Sequence, residues 1–241
     1  MRECTEAQFL TDVASHTLTV LHDDGVFRHL RLGKPGTYCM SFNLTTWPGH
    51  LAISGDMGTY VFNRLDDMFQ FFRTKPYDQR DGTHEDFPIN PSYWAEKCEA
   101  MNTRDGRGEG IKAYDRERLR EHARYEWESH FSELVDDEGD LATNEAAQEC
   151  WKEIKTSVLG AENGYEAYQA ARDFEHEGFR FHDSWEWDNT SYTFRFLWCL
   201  YTITWGIRQY DAASITILAP TEGDAEKLAK ARIANLVTPQ V

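Results

Sequence analysis

The sequence predicts an α+β fold, with an N-terminal antiparallel β-meander flanked by helices and a mainly helical C-terminal half. Three observations carry this expectation. Between residues 17 and 63, short apolar runs alternate with closely spaced turn signals. Beyond residue 91 the apolar spacing lengthens to three or four. Between them, 74–91 turns to Asp, Pro, Gly and Gln, the composition of a connecting loop. The expected organisation is a sheet with two helices over 1–75, a connecting loop over 76–90 and a helical region over 91–241.

Thr5 is placed to cap a short amphipathic helix that carries Phe9, Leu10 and Val13 on one face. Strands are expected at 17–21, 26–32, 37–45, 51–54 and 60–63. The turns between them are Asp23-Asp24-Gly25, Gly33-Lys34-Pro35-Gly36, Trp47-Pro48-Gly49 and Gly55-Asp56-Met57-Gly58. Connections this short favour antiparallel pairing, because parallel neighbours need long crossovers. LDDMFQFFR, at 65–73, reads as a Phe-rich helix with Asp66 and Asp67 in its first turn. Pro91 suits the start of another, carrying Tyr93, Trp94 and Cys98. Helical patterns follow at 113–135, from Thr143 with Trp151, Ile154 and Val158, and at 164–174. Residues 179–181 read as a short strand or an extended link. The most hydrophobic helix candidate is 190–210, whose β-branched content keeps a strand alternative open. The tail 222–236 is an Ala/Lys/Glu helix by propensity.

The 241 residues hold 25 Lys+Arg against 41 Asp+Glu, a net charge of −16, with 41% hydrophobic content. That is apolar enough for a real core and argues against disorder. The acid excess opposes direct binding to nucleic acid or an anionic membrane, which carry the same sign of charge. Segment 126–188 holds 18 acidic and 4 basic residues, a net of −14, so the rest of the chain nets only −2. Just before it, 104–124 holds seven basic against five acidic residues. The opening residues lack the apolar run of a signal peptide. The longest apolar stretch, 192–207, is shorter than the roughly 20 residues of a membrane span. Both point to a cytoplasmic protein. Five scattered cysteines, Cys4, Cys39, Cys98, Cys150 and Cys199, without CxxC spacing, read as reduced thiols.

Catalytic signatures are sparse. The nine histidines form no HExxH, no HxH and no pair at i, i+4 spacing. The densest polar cluster is Glu175-His176-Glu177, His182-Asp183, Glu186 and Asp188, which reads as a polar rim beside Trp185 and Trp187. The 55–59 turn lacks the GK[ST] ending of a phosphate-binding loop. His29, His50 and Asp56 have no spacing that would fix a common geometry. No cofactor or metal site is expected, and an enzyme is not the favoured reading.

The run TTWPGHLAISGDMGTYVFNRLDDMFQFFR, residues 45–73, resembles a family of uncharacterised proteins of bacterial temperate phages and prophages. The opening MRECTEAQFLTDVASH, the segment DDGVFRHLRL and HDSWEWDNTSYTFRFLWCLYTITWGIRQYD at 182–211 are similar to it too. The resemblance implies a context and transfers no catalytic residue. Acidic accessory proteins of phages often antagonise host defence, and inhibitors of CRISPR–Cas complexes are one such class.

Charge and resemblance converge on one expectation: a phage or mobile-element protein that binds and inhibits a bacterial nucleic-acid-binding defence complex, CRISPR–Cas foremost. Duplex DNA shows about one charge per 1.7 Å of axis, and carboxylates on successive helical turns approach that density. The expected contacts are Glu126, Glu128, Glu133, Asp136, Asp137, Glu138 and Asp140, anchored by Trp127, Trp185 and Trp187. Two alternatives remain open. One is an enzyme or sequestering protein for a small defence nucleotide, using the 47–58 turn or the His182/Asp183 cluster. The other is a regulatory or structural phage protein whose acidity serves solubility.

Overall fold

Alternating burial along the central strands builds a six-stranded antiparallel sheet in the computed structural model, which describes residues 3–78, 84–102, 110–132 and 144–218. The first five strands are β1 (Thr17–Asp24), β2 (Phe27–Gly33), β3 (Phe42–Trp47), β4 (His50–Gly55) and β5 (Gly58–Asn63). They pair in chain order, as the short turns require. Leu30, Leu32, Phe42, Leu44, Leu51, Ile53, Tyr60 and Phe62 are buried at every second position and form the inner face. Pro48 and Gly49 close the β3–β4 hairpin, with Gly49 at φ +81° where other residues are strained. The third strand starts at Phe42, later than the pattern predicts, because Met40 adopts φ +54° and interrupts extended backbone.

Helix α1 (Glu6–Val13) starts as expected. Thr5 Oγ1 accepts from the Gln8 amide at 3.3 Å, and Phe9 and Val13 are buried. Helix α2 is shorter than expected, Met68–Phe72, with Asp67 capping the Phe69 amide at 3.0 Å. The connecting segment contains a two-residue strand pair, β6 (Tyr77–Asp78) and β7 (His84–Glu85). Helix α3 (Pro91–Ala95) begins at its proline, and Asn90 caps Tyr93. Cys98 is not on that helix. It opens β8 (Cys98–Asn102), a sixth strand that adds to β5. The sheet therefore recruits residues beyond the composition break at 76–90.

The chain divides into two compact units. The sheet unit comprises 5–104 and the chain from Trp198 onward, and the helical unit comprises 1–4 and 105–197. The helical unit contains α4 (Arg116–Ser132), α5 (Glu145–Ser157), α6 (Gly164–Asp173) and the strand pair β9 (Lys112–Tyr114) with β10 (Thr190–Tyr192). Asn144 and Asn163 cap α5 and α6. Leu119, Ala123, Trp127 and Phe131 of α4 meet Ala147, Cys150 and Ile154 of α5 and a cluster of Phe174, Phe179 and Phe181. Segment 179–181 makes a single bridge, His176 to Phe179, across a turn in which Glu177 and Gly178 both have positive φ.

The 190–210 pattern resolves into β10 followed by α7 (Phe194–Leu218), which Thr193 Oγ1 caps at the Phe196 amide. The first turn of α7 is counted with the helical unit. From Trp198 it supplies Trp198, Tyr201 and Trp205, which ring Phe9 and Phe42 in the sheet core. Gly206 lets the helix approach the sheet, since an added Cβ would lie 2.8 Å from Leu44 Cδ1. Among the described residues no helix is long and apolar enough to cross a membrane. The tail helix expected at 222–236 lies outside the described residues.

Candidate functional site

On α4, Tyr125, Glu126, Ser129 and His130 share a face by their i, i+1, i+4, i+5 spacing. Facing them is the segment that carries Phe179, Arg180, His182, Asp183, Glu186 and Trp187. Together these residues line a cavity of about 490 Å³ within the helical unit. Its floor is apolar: Phe179 is buried and Trp187 half-buried. Its rim is polar and exposed.

Glu126 shapes this cleft. Its Oε2 accepts from the His182 amide at 2.7 Å, and its Oε1 accepts from Trp187 Nε1 at 3.2 Å. Both carboxylate oxygens are engaged in ordering the opposite wall, so Glu126 acts as a brace. Asp183 and Glu186 have no basic partner among the described residues. Asp183 holds φ +47°, an unusual conformation for a residue other than glycine, as it enters a 3-10 turn (Ser184–Glu186). His130 lies edge-on to Phe131 and Phe179. Arg180 is drawn to Glu175. The cleft thus offers two uncommitted carboxylates and two imidazoles above aromatic walls. This arrangement suits a basic side chain, whose methylene stem packs on the rings while its charged tip meets carboxylate.

The other expected contacts are distributed differently. Glu128 is exposed and paired with Arg124 at 2.6 Å across one helical turn. Glu133, Asp136, Asp137, Glu138 and Asp140 lie outside the described residues. Trp127 is no surface anchor. It is 1% exposed, and its Nε1 donates to the Ala147 carbonyl at 2.9 Å, joining α4 to α5. Trp185 is 66% exposed and free to contact a partner. The structure therefore brings Glu126, Trp187, His182, Asp183 and Glu186 together and places Trp127 in the core. Sequence reasoning missed Tyr125, Ser129 and His130, although their shared helical face was readable.

The acidic segment keeps a clear excess on its described part. Five of its 18 acids fall outside, leaving thirteen against the 4 bases Lys152, Lys155, Arg172 and Arg180. Several are locally balanced: Glu149 by Lys152, Asp173 by Arg172 and Asp188 by Lys112. Glu145, Glu162, Glu177, Asp183 and Glu186 have no such partner among the described residues.

The remaining polar candidates do not assemble. His50 Nδ1 lies 3.0 Å from the Pro48 carbonyl, and its Nε2 lies 2.9 Å from both Asn63 Nδ2 and Glu99 Oε1. His29 is in register with Thr45 on β3 and, through it, Ala52, a different row of the sheet from His50. Asp56 accepts from the Met40 amide at 2.9 Å. His50 and Asp56 are each engaged locally, and His29 lies in a separate row. His176 Nδ1 meets Glu153 at 2.5 Å. Among the described residues no group of three or more His, Cys, Asp or Glu side chains is placed to hold a metal ion. Cys150 is a poor nucleophile, because burial, followed by Glu153 and Glu177, pushes its thiol up to about 12. Comparison with known proteins gives no matching family model, no matching curated sequence and no matching solved structure.

Proposed function

We propose that this chain is a phage or mobile-element accessory protein that inhibits a bacterial nucleic-acid-handling defence complex by binding a basic groove on it. A CRISPR–Cas effector is the foremost target class, and the helical unit is the binding face. The carrying observation is the cleft between α4 and 179–187, where Asp183 and Glu186 stand uncommitted beside Trp187 in the most acidic part of the chain. Such a cleft takes the Lys or Arg side chains that otherwise contact phosphate, and the surrounding excess of carboxylate draws the partner in from a distance. Exposed Trp185 offers a large ring next to it. The action proposed is stoichiometric binding without turnover, at a cytoplasmic target. The resemblance of 45–73 to phage proteins supports the biological setting.

The test is co-purification of the tagged protein from a bacterium that carries such defence systems, at low and moderate salt, with interference against a targeted plasmid as the activity. The expected partner is a nucleic-acid-binding complex recovered in fixed ratio and released as salt screens the charges. Reversal of Asp183, Glu186, Glu133, Asp136 and Asp137 to Lys together should abolish both recovery and inhibition. Inhibition that survives the combined reversal would sink acidic mimicry as the mechanism.

A further inference from the structure

The sheet unit carries a second cavity, of about 460 Å³, with chemistry opposite to the first. It is lined by Thr17, Thr19, Arg31, Lys34, Thr37 and Tyr38, together with the glycines and proline of the 33–36 turn. In a chain of net charge −16 this lining contains two cations and no carboxylate. Elsewhere in the same unit Arg28 is held by Asp67, Arg73 by Asp211 and Lys97 by Glu96. Arg31 and Lys34 form no ion pair among the described residues.

The local fold fixes these groups. Thr19 is the register partner of Arg31, and Thr17 that of Gly33, so β1 and β2 present hydroxyls and guanidinium side by side. Lys34-Pro35-Gly36-Thr37 closes as a turn, with the Thr37 amide 3.4 Å from the Lys34 carbonyl and Gly36 at φ +81°. Proline followed by a positive-φ glycine limits the motion of this turn and so holds Lys34 at the rim. The Arg31 guanidinium lies 5.3 Å from the centre of the Tyr38 ring, and that ring is 79% exposed. Stacking there orients the guanidinium while leaving donors for an oxyanion.

We propose that this cavity binds a nucleotide-class ligand, a phosphate monoester carrying a planar base. Arg31 and Lys34 take the phosphate, Thr19 adds a hydroxyl contact, and Tyr38 stacks the base, while the Thr17 hydroxyl donates to the Gly33 carbonyl at 3.4 Å and closes the edge of the site. The volume lies within the range of about 300–1,000 Å³ usual for small-ligand pockets. The sequence showed only a turn here, because the threonines and Arg31 come together through strand register. The site belongs to the sheet unit and does not depend on the acidic cleft.

The experiment is NMR or calorimetric titration of the full chain with adenosine 5′-monophosphate, guanosine 5′-monophosphate, ribose 5-phosphate and inorganic phosphate. The expected result is saturable binding of at least one nucleotide, weakened tenfold or more by Arg31→Ala and by Lys34→Ala. Tyr38→Ala should weaken the nucleotide several-fold and leave ribose 5-phosphate unchanged. Urea unfolding of each variant confirms that the fold is intact. Arg31→Lys, which keeps the charge but loses the planar fork, should fall between wild type and Arg31→Ala. Absence of saturable binding of any of the four at millimolar concentration overturns the proposal. So does binding that both cation deletions leave unchanged. Equal affinity for nucleotide and inorganic phosphate overturns the assignment of a base site at Tyr38.

Discussion

At the scale of single residues, neighbouring aromatic and acidic positions of similar sequence context have different fates, and burial decides their energetics. Trp127 fills the interface of α4 and α5 and donates to the Ala147 carbonyl, so Trp127→Ala loses packing and one buried hydrogen bond. Urea unfolding should show a loss of about 3–5 kcal/mol. Trp185 is exposed, and Trp185→Ala should stay within about 0.5 kcal/mol of wild type while weakening partner recovery. Glu126→Ala should fall between them, at about 1–3 kcal/mol, because the His182 amide and Trp187 Nε1 lose their acceptor. A stable Trp127→Ala variant would refute the core assignment. The ranking was partly legible: Trp127 continues the i, i+4 apolar stripe of Leu119, Ala123 and Phe131 that faces inward, whereas nothing local marks Trp185 as exposed or Glu126 as a brace.

At the scale of elements, the meander was legible because turn chemistry and period-two alternation agree over 17–63. Strand β8 was not, since CEAMN has little β-branched content and follows a proline-started helix. Its place is set by pairing with β5, a non-local fact. The β9–β10 pair was hidden for the same reason. Three residues on each strand meet across 76 to 80 positions of chain, and the Lys112 side chain reaches across the pair to Asp188 at 2.7 Å. Lys112, with help from Thr190, holds the Asp188 carboxyl below the ordinary carboxylate range. A carboxyl depressed in the folded state stabilises above its unfolded pKa, and that stabilisation fades as pH falls through the lower folded value. Asp188→Asn should therefore cost stability at neutral pH, and the gap to wild type should close in acid below pH of about 4. The side chain is 60% exposed, so the gap should be under about 1 kcal/mol. Hydrogen exchange at the Ala113 and Ser191 amides should accelerate in the variant. A gap that persists unchanged into strong acid would assign the effect to something other than the ion pair.

At the scale of the whole molecule, charge and connectivity are organised by different rules. Charge follows the order of residues: the −14 segment is contiguous, so its concentration on the helical unit is legible from the sequence alone. Connectivity does not follow it, because the sheet unit closes only when the chain returns at Trp198 after the whole helical unit has been made. The inner face of the sheet offers Phe42, Leu44 and Leu32, and α7 supplies the cover with Trp198, Trp205 and the close approach at Gly206. Further ties bind the same helix within that unit. Arg73 holds Asp211, Tyr210 donates to Asp23, and Arg208 reaches the Asp86 carbonyl. Each fully buried large apolar side chain contributes about 1.5–3 kcal/mol, so removing several exceeds the few kcal/mol by which domains are stable. Truncation after Leu197 should therefore abolish cooperative unfolding of the sheet unit, although every strand is still present. The near-ultraviolet signal of Trp198 and Trp205 cannot serve as the measure, since the truncation removes both. Binding of a hydrophobic dye and loss of slow-exchanging amides on β3 and β4 should report the uncovered face. Addition of a synthetic peptide spanning 194–218 should reverse both changes. A truncated chain that keeps its slow amides without the peptide would show that α1 and α2 alone suffice to cover the sheet.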